Sequence, residues 1–485
     1  MVTKACKIAV GAASAFIVGG AIAADRVEMV LVGFAVGAVV VLSIRSPLVA
    51  LCVAVAAIPL EVIGRVQSGV EEITFAKVLL VSAVCAWFAG MVFGRRTVDP
   101  PQNGWLLAGF WAISLLGTAI GLYGMTRSGI ASLIALAGQI AIVVMMVNLV
   151  ENVRDLRAIL ASILVGSLVV CLVGFADVLS GTSFLGTVDY QYYAEGVTGL
   201  RRITATFYDP NALGRFLTFG ILVNLTMFSV VERRYTLHRL ALAALLLAQS
   251  VCLVYTFSRG AFIAVLGGLL VFALTGPGSW KSRLAGVAGG ALMIGFAFTE
   301  QMDALFARFT LAGAGLGGRV MAIEGAVSAF LRSPVVGYGP GNAPQAIGMD
   351  RGVPLSPHNL YTEVLVSAGL LGAVLIGSYV FLLLRDGWRV RGAPLQLYSR
   401  GMFAALVGVL LMGLSLHTLK ANELWLAVAL LASIVSLDSR GLQGGVQHVC
   451  GPESSGLEQE DYVDRRRATG ACASRRGFDD VRSSW

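Results

Sequence analysis

The chain is dominated by apolar runs of about twenty residues, the length that an α-helix needs to cross the hydrocarbon core of a bilayer. Fourteen such runs lie at 7–24, 27–44, 47–64, 73–94, 104–122, 130–150, 156–179, 211–230, 239–257, 260–274, 283–299, 360–384, 401–418 and 421–438. Only 13% of the residues are charged, about half the share of a soluble protein, which excludes an ordinary cytosolic enzyme. The sequence therefore predicts an all-α, polytopic integral membrane protein with about 12 to 14 transmembrane helices.

The basic residues fall in alternate loops between these runs, although the net charge is +8. Nucleic-acid binding would need a clustered basic face, so we expect no nucleic-acid partner. Cytoplasmic loops carry the excess of Lys and Arg, and this rule places both termini in the cytoplasm and the long loops 180–210 and 300–359 outside. The basic loops contain Arg45, Arg95, Arg96, Arg154, Arg157, Arg233, Arg234, Arg239, Lys281, Arg283, Arg385, Arg389, Arg391 and Arg400.

Three segments organise the chain. Residues 1–200 are predicted to form N-terminal transmembrane helices, and 201–438 a transmembrane core that carries the large outer loop 300–359. Residues 439–485 lack apolar periodicity and are predicted to be a disordered cytoplasmic tail. The first apolar run ends in an A-x-A pattern at residues 21–23 that is typical of signal-peptidase sites. We favour an uncleaved first helix, since many spans follow, and cleavage stays the alternative.

The seven cysteines do not form a recognisable binding motif. None are spaced as CxxC, and four of them, Cys52, Cys85, Cys171 and Cys252, lie inside apolar runs. The sequence therefore predicts neither a disulfide framework nor a zinc site.

Ionisable residues inside the predicted spans gather toward one membrane face. An ionisable group in a span is expensive and is a functional candidate by default. Those within about two turns of the outer end are Asp177, Arg215, Arg259, Glu363 and His417. Snorkelling of long side chains accounts for any one of them, but poorly for the short Asp177 and Glu363. Glu61 and Lys77 are also near the outer face, and simple pairing of the two stays open. The pattern favours activity at the outer leaflet.

The two long outer loops contain ordered features. Asp209 or Asn211 is expected to cap the helix that begins near Pro210. Apolar residues recur at helical spacing from Val320 to Leu331, which predicts an amphipathic helix on or near the membrane. The sequence Gly-Tyr-Gly-Pro-Gly-Asn at 337–342 can turn tightly and expose backbone N–H groups, but it does not match a P-loop. His358 lies just before a span, at a position that gives a histidine no structural duty.

Four motifs in order resemble the O-antigen ligase and polymerase superfamily of bacterial membrane glycosyltransferases. The resemblance covers roughly residues 200–375, and Ala205 and Ile323 stand where the family often has Gly and Trp. The motifs are Arg202 through Asn211, then Thr256-Phe257-Ser258-Arg259-Gly260-Ala261, then Gly318-Arg319 with Ser333-Pro334 and Gly337-Tyr338-Gly339, and finally Pro357-His358-Asn359-Leu360-Tyr361 with Gly369 and Gly372.

The resemblance implies the activity and its setting. Similar proteins take a glycan from a polyprenyl-diphosphate carrier at the outer leaflet and transfer it to a hydroxyl of a lipid, glycan or protein acceptor in cell-envelope polysaccharide biosynthesis. It also implies an all-helical fold related to the polytopic, GT-C-like glycosyltransferases, in the bacterial plasma (inner) membrane, with neither a metal nor another cofactor required. Ligase and polymerase activities are not separated by this sequence.

The residues support a metal-independent, inverting mechanism. Arginine binds diphosphate oxygens in pairs and stays charged, so Arg259 and Arg319 are predicted to clamp the leaving group. His358 is predicted to act as general base on the acceptor hydroxyl. These three are the catalytic candidates, and the substrate-binding candidates are Arg202, Arg215, Asn211 and Asn359.

Two other classes of function remain open at this stage. A flippase or transporter for lipid-linked glycans would need polar groups through the membrane midplane. A scaffold for an envelope-assembly complex would tolerate single replacements of its outer charges. The outer-face distribution of ionisable residues favours the transferase.

Overall fold

The computed structural model describes residues 37–38, 41–42, 45–60, 66–67, 72–94, 98–183, 185, 202–276, 316–392 and 394–449. The predicted spans 7–24 and 283–299 lie outside these residues, as do most of span 27–44 and the chain from residue 450. Two compact units are formed by Met1–Asp438 and Ser439–Trp485, and the contacts below all lie in the first.

The described chain is helical apart from one very short hairpin. In the first half, the helices are α1 (Pro47–Ala57), α2 (Phe75–Gly94), α3 (Gly104–Ile120), α4 (Arg127–Leu149), α5 (Val153–Ser180), α6 (Pro210–Val230) and α7 (Thr236–Tyr255). The second half has α8 (Arg259–Thr275), α9 (Leu316–Arg332), α10 (Ala343–Ile347), α11 (Leu360–Arg389), α12 (Leu395–Met412) and α13 (Asn422–Val449). Strands β1 (Val66–Gln67) and β2 (Glu72–Ile73) pair antiparallel.

Seven helices in this described part are long and apolar enough to cross a membrane: α4, α5, α6, α7, α11, α12 and α13. Helices α1, α3 and α8 and the stretch Ala76–Val92 of α2 are apolar but shorter. Large apolar side chains such as Trp105, Leu247 and Phe381 are exposed on the helix surfaces, as expected for a protein whose solvent is lipid. These features confirm the predicted all-α polytopic membrane fold.

Local sequence fixes where the helices begin and end. Asp209 caps α6 by accepting from the Asn211 N–H at 2.8 Å, with Pro210 in the first turn. A capping box of Asn152 and Asp155 begins α5. Helix α1 ends at Ala57 and not near 64 as predicted, because Pro59 has no N–H and disfavours helical backbone in the residue before it.

Close helix contacts build the core around α6, α8 and α12. A side chain at Gly401 of α12 would overlap Thr226 of α6, so glycine permits this approach. The largest buried side chains include Trp425, Tyr379, Tyr398 and Phe110. In membranes, helix association depends on such close packing of small residues, since lipid tails are as apolar as the core.

Two of the predicted basic loops meet at one end of the helices. There Arg157 Nε donates to the Tyr398 hydroxyl at 2.6 Å, joining the starts of α5 and α12. Arg400 donates to the Trp388 carbonyl at 2.6 Å and stacks on its ring. The outer segments of the sequence analysis lie at the opposite end, where the candidate site is found.

Candidate active site at one end of the helices

Helices α6, α8, α11 and α13 begin at the site end, and α5, α7 and α12 end there. Backbone hydrogen bonds join their connecting segments. The Ile203 N–H donates to the Tyr255 carbonyl at 3.1 Å, and the Leu360 N–H donates to the Gly413 carbonyl at 2.7 Å. The alternation of helix direction thus brings the first, second and fourth of the family-like motifs beside one another.

Arg202 and Asn211, two predicted substrate-binding residues, are joined to the turn between α7 and α8. Arg202 donates from Nε to the Thr256 carbonyl at 2.8 Å and from its terminal nitrogen to Asn211 Oδ1 at 3.1 Å. Ser258 Oγ donates to the same oxygen at 2.9 Å. These bonds fix the first outer loop against α8, whose first residue is Arg259.

The three predicted catalytic residues form one electrostatic cluster with Asp209. Burial lowers the pKa of Arg319, the cation of Arg259 lowers it further, and Asp209 acts in the opposite direction. Burial also lowers the pKa of His358, and Arg319 lowers it further against the opposing effect of Asp209. Arg319 is thus within electrostatic range of both Arg259 and His358.

His358 faces a second histidine that the sequence analysis did not select. The rings of His358 and His417 meet edge to face with centroids 6.1 Å apart, and Ser356 Oγ lies 3.3 Å from His417 Nδ1. Burial, with the cation of Arg215 next, lowers the pKa of His417 to about 4. Both residues keep exposed surface, and both imidazoles are neutral near pH 7, the form that can accept a proton.

Asn359 has a structural duty besides its predicted role. Its Oδ1 caps α11 by accepting from the N–H groups of Tyr361 and Thr362 at 2.9 and 3.1 Å. Its Nδ2 donates to the Leu414 carbonyl at 3.0 Å. The residue before it, His358, has a φ of 46°, so the cap and the left-handed turn together orient the imidazole.

Strained backbone gathers at the site. Four described residues other than glycine have positive φ, and three of them, Ala205, Phe257 and His358, are here. Such conformations cost about 1–3 kcal/mol each and persist only where neighbours enforce them. Buried Asp177 does so for Ala205, whose N–H donates to its Oδ2 at 2.9 Å. The φ of 48° at Ala205 lies in the region that favours glycine.

Arg215 lies beneath the cluster in an ion pair that the sequence analysis missed. Its Nε is 3.0 Å from Glu423 Oε2, and the two side chains are only 9% and 2% exposed. The guanidinium is therefore engaged by protein in this structure, and its substrate-binding role stays a prediction. An acidic residue in the first turn of an apolar helix was the available signal for Glu423.

A second carboxylate holds the segment that carries His417. Buried Glu363 in the first turn of α11 accepts from the Leu419 N–H at 3.1 Å. Lys420 donates to the Ser132 hydroxyl of α4, and Trp425 Nε1 donates to the Leu419 carbonyl at 2.7 Å. The connection between α12 and α13 is thus fixed on several sides.

Helix α11 is interrupted at Gly369, where the segment after α9 enters. Gly369 has φ 62° and ψ −165°, and a side chain there would overlap the Val335 carbonyl. The Leu370 N–H donates to the Pro334 carbonyl at 2.8 Å, and the Gly339 N–H to the Ser367 carbonyl at 2.8 Å. The glycines of the last two motifs therefore meet at a junction that satisfies the backbone of a broken helix, as membrane interiors require.

Fold and site together define a polytopic membrane protein with a cationic, histidine-containing site at one end of its helices. Residues 241–377 match the O-antigen ligase family, which confirms the predicted resemblance. The matched segment contains Arg259, Arg319, His358 and Asn359, whereas Arg202, Asn211, Arg215, His417 and Glu423 lie outside it. No curated protein matches the chain.

The match supports an O-antigen ligase-like or polymerase-like function in envelope polysaccharide synthesis, in a multi-pass bacterial membrane protein. It further supports a glycosyl-transferring enzyme that works on lipid-linked glycans in a membrane setting. Within the described residues, no three His, Cys, Asp or Glu side chains are grouped as metal ligands would be.

Proposed function

We propose that the protein transfers a glycan from a polyprenyl-diphosphate donor to a hydroxyl acceptor at the outer leaflet of the bacterial plasma membrane. The observation that carries this proposal is the coupling of Arg259, Arg319 and neutral His358 at one end of the helices. Two guanidinium groups suit a diphosphate, and a neutral imidazole suits a hydroxyl that must lose its proton.

The reaction balances with these three residues. The acceptor oxygen forms a bond to the anomeric carbon, and the bond from that carbon to the diphosphate oxygen breaks. His358 takes the proton of the acceptor hydroxyl, and polyprenyl diphosphate leaves with the electron pair. Arg259 and Arg319 stabilise the developing charge by paired hydrogen bonds to its oxygens. Direct attack inverts the anomeric centre, and the cations take the part that a metal plays elsewhere.

The remaining predicted contacts position the substrates. We infer that Arg202 and Asn211 bind the donor from the side of the first outer loop, since both border the start of α8. Asn359 adds a contact beside His358. Arg215 extends the positive potential from beneath the cluster, where Glu423 holds it in place.

We propose that the protein lies in the membrane in the orientation predicted from its basic loops. The basic loops would face the cytoplasm with both termini, and the site would face outward. The transmembrane core 201–438 would carry the catalytic groups, with loop 300–359 at the outer face, helices within 1–200 at its side and the tail 439–485 in the cytoplasm. Among described residues, the buried charged groups Asp177, Arg215, Glu363 and Glu423 lie at the site end and buried Arg400 at the opposite end, which supports surface chemistry over transport through the midplane.

The test replaces His358 with alanine in the native host and measures surface glycan and polyprenyl-linked glycan together. With the variant present at normal level, we expect surface glycan to fall and the lipid-linked donor to accumulate. His238, at the opposite end of α7, provides the matched control, and His238→Ala should leave both pools unchanged. Normal pools in His358→Ala would overturn the catalytic assignment and favour a scaffold, while donor retained on the cytoplasmic leaflet would favour a flippase.

A further inference from the structure

An elongated apolar cavity opens beside the candidate active site. Its volume is about 340 Å³, and its walls come from α11, α12 and α13, within the range of about 300–1,000 Å³ that is usual for ligand pockets. The lining includes Leu360 and Tyr361 at the site end and Ile376, Gly377 and Val428 farther along. The lining residues on α11 lie on both sides of the break at Gly369, so the cavity is a groove that runs along the two parts of α11.

The groove and the polar cluster share the same backbone segments. Leu360 and Tyr361 directly follow His358 and Asn359, and the Tyr361 hydroxyl donates to the Leu410 carbonyl at 3.0 Å. On the opposite wall, Leu419 comes two residues after His417 and Leu424 directly after Glu423. The groove thus begins where the cluster of charged and imidazole groups ends.

We infer that this groove receives the isoprenoid chain of the lipid-linked donor. The inference rests on the proposed function, because it requires a donor whose diphosphate lies against Arg259, Arg319 and His358. Head and chain are covalently joined, so the chain must leave the cluster along an apolar path that starts beside it. Among the described residues, the groove between α11 and α13 is such a path, and its apolar walls match a hydrocarbon chain along their length.

The groove positions the donor more than it attracts it. Bilayer lipid is as apolar as the groove, so moving the chain from one to the other releases little free energy. A chain fixed along α11 instead restricts rotation of the diphosphate and presents the anomeric carbon to His358 in one orientation, which lowers the entropic barrier to attack. Filling the groove should therefore weaken transfer and change where the chain is bound.

A substitution at Gly377 can fill the groove without disturbing the surrounding protein. It lines the groove, and an added Cβ would meet no atom within 4 Å. A phenylalanine at this position would occupy the space of the chain without displacing protein. Gly377→Ala is the control for the helix itself. Gly90 of α2 is equally open and does not line the groove, so Gly90→Phe controls for a bulky residue on a membrane-facing helix.

The test uses the full chain in proteoliposomes with a long-chain polyprenyl diphosphate that carries a photoreactive group in its isoprenoid chain. In the wild type and both controls, crosslinks should fall on α11, α12 and α13. In Gly377→Phe, these crosslinks should be lost and transfer from the host's lipid-linked donor should fall about tenfold, equal to about 1.4 kcal/mol. Binding of inorganic diphosphate at the arginine cluster should not change.

Two outcomes would overturn the inference. Wild-type crosslinks on other helices would place the chain elsewhere, and Gly377→Phe with normal crosslinks and transfer would show that the chain is not held along the groove at Gly377. A failure of the proposed function is a different result. In that case, His358→Ala would transfer normally or the wild type would transfer nothing, while the crosslinks still report the position of the chain.

Discussion

Arg215 and Glu423 form a buried ion pair at 3.0 Å that joins α6 to α13 beneath the site. The two residues are 208 positions apart in the chain, and each sits near the start of an apolar helix. The pair lies next to the segment that carries His417, and its cation Arg215 helps to lower the pKa of that ring. The electrostatics of the open site thus depend on a pair of charges that solvent hardly reaches.

Breaking this pair from one side should destabilise the protein strongly. Glu423→Leu leaves Arg215 buried without its carboxylate, and Arg215→Met leaves Glu423 without its cation. We expect each to lower the free energy of unfolding by about 3–5 kcal/mol. The double variant removes both charges and should recover most of that loss, as thermal unfolding of purified protein would measure. A normal KM for the donor in the stable double variant would contradict substrate binding by Arg215.

The acid limb of the pH profile should follow the protonation of His358. Burial and Arg319 lower the pKa of His358, so the base stays active to a pH below about 6.5. Arg319→Gln removes a cation that opposes protonation, which raises the pKa of His358 and moves the acid limb of kcat/KM to higher pH. Arg319→Lys keeps the charge, so its acid limb should stay in place while its rate falls through the loss of paired hydrogen bonds. Identical acid limbs in Arg319→Gln and the wild type would contradict this coupling.

Gly369→Ala should be poorly tolerated. The φ of 62° and ψ of −165° belong to a region that is essentially restricted to glycine, and the new Cβ would overlap the Val335 carbonyl. We expect a loss of about 3 kcal/mol or more in the free energy of unfolding. Gly377→Ala in the same helix is the control, since nothing lies near its Cβ. Equal melting temperatures for the two variants would rule out the constraint at the helix break.

Ala205→Gly should stabilise the protein. Alanine pays about 1–2 kcal/mol for its left-handed backbone, which glycine avoids at the expense of a more flexible unfolded chain. A net gain of about 0.5–1 kcal/mol is expected, visible as a higher melting temperature. Ala131→Gly in the second turn of α4 should have the opposite sign, because glycine there only weakens a helix. A lower melting temperature for Ala205→Gly would argue against strain at this position.

Apolar length and local capping predict most of the described helices. Hydropathy alone located α4 to α8 to within about three residues, and Asp209 with Pro210 begins α6 as expected. Helix α12 begins and ends six residues before its predicted span 401–418, and α13 continues to Val449, past the predicted end at 438. Helix α9 also formed where periodicity predicted it. The buried face of α9 is not the one that a simple amphipathic helix would bury. Ala322, Ala326 and Ala329 face the protein, while large apolar residues such as Val327 are exposed.

The site was only partly predictable, for a physical reason. Local motifs revealed His358 and its arginines because their residue types are unusual beside apolar spans. The pairing of Arg215 with Glu423, and of His358 with His417, depends on which helices become neighbours, and hydropathy carries no information on that choice. Gly369 was recognised as part of a motif, but the break in the helix follows from the segment that enters it.

The junction between α11 and the segment after α9 restricts the number of residues in that segment more strictly than it restricts their side chains. Backbone groups from Pro334 to Gly339 pair with those from Val366 to Leu371, and Ser128 Oγ donates to the Gly341 carbonyl at 2.9 Å. One residue inserted between Pro334 and Gly339 would shift the backbone donors after the insertion away from their acceptors in α11. No water is available within the membrane to replace these partners. Insertions that distinguish relatives should therefore fall before Ser333 or after Gly341. The segment from Pro334 to Gly339 should have six residues in all of them.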